Sequence, residues 1–306
     1  MELRHLRYFV AVAEELHFGR AAARLNIAAP TLSQQIGALE NILGAKLFAR
    51  RTKSAVALTH AGQRFLVEAQ ETLKQAARAE LVGRRAGRGE VGSIAIGYLF
   101  SAGCSGLVGS TLRKFRSLHP DVSFQMRRIV TFAQYKALND GSIDVGFAHP
   151  PHQRYPSGLT GFIIDRQPFW LVMPEGHRLA ARKQITPAML INEDFVAMSL
   201  EMEAGFWGNI AAITPPGASL RIVDRAPDAF GVMTMISAGL GVSVLSEPIT
   251  NVGMKGVVAR RIDGVKSTAD TAVVYRRNES APVVKNLIDF LRAEAREAAH
   301  PARRAS

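Results

Sequence analysis

The stretch AAARLNIAAPTLSQQIGALE, residues 21–40, breaks an alanine-rich apolar run at Asn26, restarts it at Pro30, and then shows a polar Thr-Ser-Gln-Gln edge. Proline lacks an N–H and suits the first turn of a helix, where that group has no partner anyway. Leu32, Ile36, Leu39 and Leu43 then recur at intervals of four, three and four, which places them on one helix face. Thr31, Ser33, Gln34 and Gln35 fall largely on the others. Small hydrogen-bonding side chains backed by an apolar face suit a helix that reads base edges in a major groove, its first-turn N–H groups meeting phosphates. The same residues also fit a plain solvated helix face, and pattern alone does not separate the two.

Upstream, Leu3, Leu6, Phe9, Val10, Val12, Ala13 and Leu16 keep helical spacing over residues 3–16. Phe18 to Leu25 reads as a short second helix whose alanines allow close packing, and Asn26-Ile27-Ala28 turns the chain with Ile27 as a plug for the core. After Gly44, AKLFARRTKSAVALT reads as a two-stranded wing, with Lys46, Arg50, Arg51 and Lys53 placed for backbone phosphates. Thr59 then caps a long helix, HAGQRFLVEAQETLKQAARAELVGRRA. Its Leu66, Ala69, Leu73 and Ala76 form a seam able to pair with another helix. Packing onto its own domain is the alternative, but the helix is too long and too polar elsewhere for that to satisfy it, so dimerisation is favoured.

The chain has 306 residues, too many for one ordinary core, with 47% hydrophobic and 21% charged side chains. Its formal net charge of +12 makes a polyanionic partner worth considering. Residues 1–92 hold 14 Lys and Arg against 8 Asp and Glu, and the longer remainder 24 against 18, so basic charge is denser at the start. The single cysteine, Cys104, excludes an intrachain disulfide and is compatible with a reducing compartment, with redox sensing a minority reading. Tyr8 to Ala13 is too short for a signal core, and no stretch reaches the roughly 18 apolar residues of a membrane span. A cytoplasmic location is expected.

Beyond the Gly- and Arg-rich linker GRRAGRGEVGS (83–93), strands and helices alternate. Strands are expected at 93–99, 122–129, 143–148, 169–175, 195–200, 242–247 and 271–277, and helices at 107–120, 132–141, 228–241 and 283–299. This argues for parallel α/β packing, either as two lobes with a ligand between them or as one larger sheet. An enzyme has little support, since no GxSxG, Walker loop or HExxH appears. HPPH at 149–152 offers two imidazoles stiffened apart by two prolines, with no third metal ligand nearby. A solute-binding protein would share the two-lobed architecture but needs an export signal.

Residues 1–90 resemble the DNA-binding region of LysR-type transcriptional regulators, through MELRHLRYFVAVAEELHFGRAAARLNIAAPTLSQQIGALENILGAKLFAR and ALTHAGQRFLVEA. DGSIDVGFA (140–148), LVMPEGHRLA (171–180) and ISAGLGVSVLSE (236–247) resemble the effector-binding domain of the same family. The resemblance covers almost the whole chain, and its aromatic- and organic-acid-responsive branch is the most similar. It implies an N-terminal all-α winged helix-turn-helix with a long linker helix, followed by an α/β two-lobed effector domain like that of periplasmic binding proteins. The implied division is a DNA-binding domain at 1–59 with its helix-turn-helix at 18–37, a linker and dimerisation helix with hinge at 60–92, an effector domain at 93–300, and a tail at 301–306. Within the effector domain, lobe one would hold 93–163 and 269–300, and lobe two 164–268.

The function so implied is a ligand-responsive, sequence-specific regulator of transcription, with no cofactor and no metal. Its partners would be promoter DNA, a small organic effector of aromatic or carboxylic type, and copies of itself in a homotetramer built from two dimers. A constitutive DNA-binding regulator without a working effector site is the alternative. DNA contacts are expected from Arg20, Pro30, Thr31, Ser33, Gln34, Gln35, Arg50, Arg51 and Lys53. Effector contacts are expected from Ser101, Thr131, His149, Phe206 and Phe230, for each of which ordinary packing is the alternative.

Three positions depart from the family pattern. Ala28-Ala29 stand where members usually have Ser-Gln, so a side-chain N-cap worth about 0.5–2 kcal/mol is missing. Gln34 stands where many carry arginine, which shifts the expected base from guanine towards adenine. His149 stands where acid-responsive members often place arginine, which admits a less acidic effector because histidine changes charge near neutral pH.

Overall fold

Three helices, α1 (Leu3–Glu15), α2 (Phe18–Arg24) and α3 (Ala29–Leu43), pack with a hairpin of β1 (Phe48–Arg50) and β2 (Val56–Leu58) and the start of the long α4 (His60–Gly87). The computed structural model describes residues 1–50, 56–151, 153–199, 210, 211 and 213–299. By its contacts the chain divides into two units, Met1–Arg85 and Ala86–Ser306.

The first unit is built on the spacing of its apolar residues. Leu6, Phe9 and Val12 of α1 meet Leu32, Ile36 and Leu39 of α3, all buried. Phe9 sits between Phe48 and Phe65, with ring centroids 5.3 and 5.0 Å away, and its burial alone stabilises by about 2–3 kcal/mol. Asn26 makes the break with φ at 57°, a left-handed conformation that asparagine tolerates better than most residues. As the alanines foretold, Ala28 caps α3 without a side-chain hydrogen bond. Thr59 caps α4, its hydroxyl accepting from Gly62 N at 3.0 Å.

The expected seam on α4 is partly turned inward. Ala69 is buried, and Leu66 and Leu73 pack against the same core as Phe9, because the wing and α1 offer that face of the helix an apolar shelf. Val67, Leu81 and Val82 are instead the large apolar side chains that α4 exposes. The linker is also shorter than expected: α4 runs to Gly87 and the next strand begins at Val91.

The second unit alternates strands and helices in the order β3 (Val91–Tyr98), α5 (Phe100–Cys104), α6 (Leu107–Leu118), β4 (Asp121–Arg128), α7 (Thr131–Asn139), β5 (Val145–Ala148) and β6 (Leu159–Pro174). There follow α8 (Pro187–Leu190), β7 (Asp194–Met198), β8 (Arg221–Ala226), α9 (Ala229–Ser237), β9 (Ser243–Ser246), α10 (Glu247–Thr250), β10 (Val257–Arg261), β11 (Thr268–Arg276) and α11 (Pro282–Ala299). β3 pairs in parallel with β4 and β5, and β5 continues through antiparallel β11 to β6. The far half of β6 pairs with β9 and β10, and β7 with β8 form a separate parallel pair.

Two lobes result, each with its own core. Ile94, Phe115, Phe147 and Leu287 belong to one core, and Leu171, Phe195, Val232 and Val244 to the other. β6 and β11 cross between them, β11 with a bulge between Thr271 and Ala272. The short helices α5, α8 and α10 were not expected, and three strands differ from the sequence expectation as well. β6 is 16 residues long, so the expected strand at 169–175 is only its second half. β8 and β10 were not expected at all, since RIVDRA and VVARR carry too much charge to read as buried strands.

Candidate nucleic-acid interface and ligand cavity

On α3, Thr31, Ser33 and Gln34 are exposed while Leu32, Ile36 and Leu39 lie beneath them, and Pro30 is exposed in the first turn. Gln35 departs from this group. It is half-buried, and its Oε1 is shut away from solvent without a hydrogen-bond partner, because position 35 lies three after Leu32 and four before Leu39, inside the apolar stripe. Arg20 folds back on α1: its Nη2 donates to the Glu15 carbonyl at 2.5 Å and its Nε approaches the Glu15 carboxylate at 3.3 Å. Arg51 and Lys53, like the side chain of Arg50, lie outside the described residues.

Sequence reading missed two side chains that hold this surface in place. His17 caps α2, its Nδ1 accepting from Gly19 N and Arg20 N at 3.1 and 3.2 Å. Glu40, buried near the end of α3, accepts from Leu47 N at 2.9 Å, Phe48 N at 3.3 Å and Lys46 Nζ at 2.8 Å. Burial pushes the Glu40 carboxyl up, but the hydrogen bonds from Lys46, Leu47 and Phe48 outweigh it and hold it below the usual carboxylate range. α3 and the first strand of the hairpin are thus tied by one carboxylate. A glutamate following an apolar helix position and preceding a strand was the available signal.

In the second unit, a cavity of about 330 Å³ opens between the two cores, within the range of sites for small organic ligands. Phe100, Ile129, Phe169, Met198, Leu245 and Ile249 give it apolar walls, and its polar side chains are Ser101, Arg128, His149, Asp228 and Ser246. Ser101, Arg128 and His149 sit at or just beyond the carboxyl ends of β3, β4 and β5, where an open α/β sheet places ligands.

The first turns of α7 fasten that rim. His149 N donates to Thr131 Oγ1 at 3.1 Å, and Tyr135 OH donates to the His149 carbonyl at 2.7 Å. Gln134 Nε2 donates to the carbonyls of Ile129 and Phe147, tying the ends of β4 and β5. Its amide fits only because residues 97 and 146 are glycines: a Cβ there would lie 3.1 and 2.6 Å from Gln134 Oε1. His149 Nδ1 lies 2.9 Å from the Asp270 carbonyl. A carbonyl only accepts, so Nδ1 carries a proton and donates in this contact.

Of the expected effector contacts, Ser101 and His149 line the cavity. Thr131 does not; its hydroxyl is engaged by His149 N. Phe230 does not either: it is 55% exposed, and Asp228 and Ala229 form that wall in its place. Phe206 lies outside the described residues. Arg128 and Asp228 were missed, though one ends a strand and the other is an N-cap, its Oδ1 accepting from Gly231 N at 2.8 Å. Cys104 is half-buried, and burial pushes its thiol up, against the lowered value of a reactive thiolate.

A helix-turn-helix with an outward polar helix, in one chain with a two-lobed unit holding a cavity between its cores, defines a ligand-responsive DNA-binding regulator. Comparison with known proteins agrees. The family described as "Bacterial regulatory helix-turn-helix protein, lysR family" matches residues 3–63, and "LysR substrate binding domain" matches residues 87–296. The chain is 37% identical to the uncharacterized HTH-type transcriptional regulator YnfL of Escherichia coli (strain K12), over 94% of this chain and 96% of that protein. It is 35% identical to the HTH-type transcriptional regulator AlsR of Bacillus subtilis (strain 168), over 94% of each. The crystal structure of full-length CbnR complexed with its target DNA superposes with a TM-score of 0.83 at 26% identity, over 96% of this chain and 100% of that one. The chain belongs to the LysR family of transcriptional regulators.

Proposed function

We propose that α3 enters the major groove of promoter DNA with Thr31, Ser33 and Gln34 towards base edges, and that Arg50, Arg51 and Lys53 of the wing neutralise flanking phosphates. The observation that carries this reading is the split of α3 into an exposed Thr31, Ser33, Gln34 edge and a buried Leu32, Ile36, Leu39 edge. Arg20, bonded to Glu15, and Gln35, half-buried in the apolar stripe, serve it as supports. The net charge of +12 and the likeness to a regulator solved on its target DNA support the same role. We place the DNA-binding domain at 1–59, the linker helix from residue 60, and the effector domain from residue 91 onwards, its first lobe completed by the segment after β11 begins. Two copies paired through their linker helices would read half-sites one helical turn apart, and two such dimers would form a tetramer in the cytoplasm. A small organic effector in the cavity between the lobes would shift their geometry and so alter how the DNA is bound and bent.

The test is selection of bound sequences from a random duplex library by the purified protein at two salt concentrations. An enriched interrupted palindrome is the expected result. Retention that is salt-sensitive but unselective would overturn the base-reading role of α3.

A further inference from the structure

The cavity carries one cation–anion pair whose two halves come from different lobes. Arg128 ends β4 and Asp228 precedes α9, and Arg128 Nη1 lies 3.5 Å from Asp228 Oδ2. The two partners are unequally held. Asp228 is committed as the N-cap of α9 through its other oxygen. Arg128 is 54% exposed and rests with its guanidinium carbon 5.9 Å from the centroid of the Phe100 ring, itself part of the cavity wall. An ion pair so open to water is weakly held, so the arginine can change partners at small cost.

Resting on the reading of this cavity as the effector site, we propose that Arg128 is the residue that selects carboxylate-bearing effectors, and that Asp228 is the internal carboxylate they displace. Several features converge on an anion. The amino ends of α7 and α9, each nine residues long, both abut the cavity through Val130 and Ala229, and helix amino ends favour negative charge. Among the described lining side chains Asp228 is the only carboxylate, and it lies beside Arg128 in a cavity that His149 also lines. Phe100, Phe169 and Met198 then suit the apolar body of the same molecule. A planar guanidinium meets a carboxylate with two parallel hydrogen bonds, a stronger engagement than the single 3.5 Å approach of Asp228. Exchange of partners would also release α9 from β4, which couples ligand acidity to the relation between the two lobes.

The experiment is calorimetric titration of the full-length protein with benzoate, phenylacetate and hexanoate, each against its own primary amide. The wild type should bind the acids at least about tenfold more tightly than the amides, the scale of a charge-assisted bidentate contact. Arg128→Gln should bring acid and amide within about twofold of each other, and Arg128→Lys should restore part of the preference. Asp228→Asn, which keeps a capping oxygen for α9, should tighten the acids by about threefold or more and leave the amides alone, since the competing charge is gone. Equal binding of acids and amides by the wild type, or an acid preference that survives Arg128→Gln, would overturn the role of Arg128 while leaving the effector cavity intact. Silence of every probe with both the wild type and Asp228→Asn would overturn the effector-cavity reading itself, and the proposal with it.

Discussion

Replacing Glu40 by alanine tests whether one carboxylate holds the wing to the recognition helix. The substitution strips the acceptor from Leu47 N and Phe48 N, both in buried surroundings. A buried donor left without a partner costs about 1–3 kcal/mol, so the pair should cost about 2–6 kcal/mol. Lys46 adds little to this, because its side chain is 75% exposed and returns to water when its partner goes. Two controls follow from that division. Glu40→Gln keeps an oxygen for the amides and should lose only about 1 kcal/mol, and Lys46→Ala should lose less than about 1 kcal/mol. Hydrogen exchange at Leu47 and Phe48 reports on this tie directly, and their protection should fall by about 30-fold or more in Glu40→Ala. The pH dependence has a fixed sign. The folded carboxyl lies below its unfolded value, so its contribution is present above about pH 4.5 and is lost as pH falls through the folded value. If Glu40→Ala exchanges at these amides as slowly as Glu40→Gln, the carboxylate is not what ties the wing to α3.

Three further outcomes are expected. Gln34→Ala should relax base preference in library selection, whereas Arg51→Ala and Lys53→Ala should weaken binding to every sequence and each reduce the salt slope by about one; equal effects of all three on random and selected duplexes would refute these roles. Gly62→Ala should strongly destabilise the first unit, since the added Cβ would lie 2.1 Å from the Leu47 carbonyl; an unchanged helical melting profile by circular dichroism would contradict that packing. Thr131→Val removes the acceptor of His149 N, so it should weaken ligand binding through displacement of the His149 loop by about threefold to thirtyfold; equal ligand affinity in the variant and the wild type would show that the rim does not depend on it.

The helices of the first unit were legible because each buries one stripe, and a stripe has a period. The same rule, applied strictly, separates Gln35 from Thr31, Ser33 and Gln34, since residue 35 lies on the stripe with Leu32 and Leu39. Thr59 was readable as a cap from its residue type, and the missing side-chain cap at Ala28 from the resemblance to the family. The second unit was legible where strands are buried on both faces, as in Val145–Ala148. It was not legible at β8, where Arg221, Asp224 and Arg225 mark an exposed strand, nor in the first half of β6, where Gly161 and Asp165 interrupt the apolar run. Ser101 and His149 could be placed because the resemblance to the family carries those positions, and each also follows a strand end. The pairing of Arg128 with Asp228 could not, because it joins residues a hundred positions apart that only the crossing of β6 and β11 brings together.

That crossing also imposes an order on the birth of the molecule. β5 can pair with β3 as soon as both have emerged, but its other edge, Val145–Ala148, waits for Ala272–Tyr275. At ribosomal speeds of 5–20 residues per second, the delay is about ten seconds. α11, which supplies Val284, Leu287 and Leu291 to the same core, arrives later still. The other lobe draws its buried residues from the continuous span between Phe169 and Ala269, so it can close while its neighbour still shows a bare strand edge. The lobe encoded first is therefore the lobe finished last, and for that interval its open edge is the part of the nascent chain most exposed to pairing with the wrong strand.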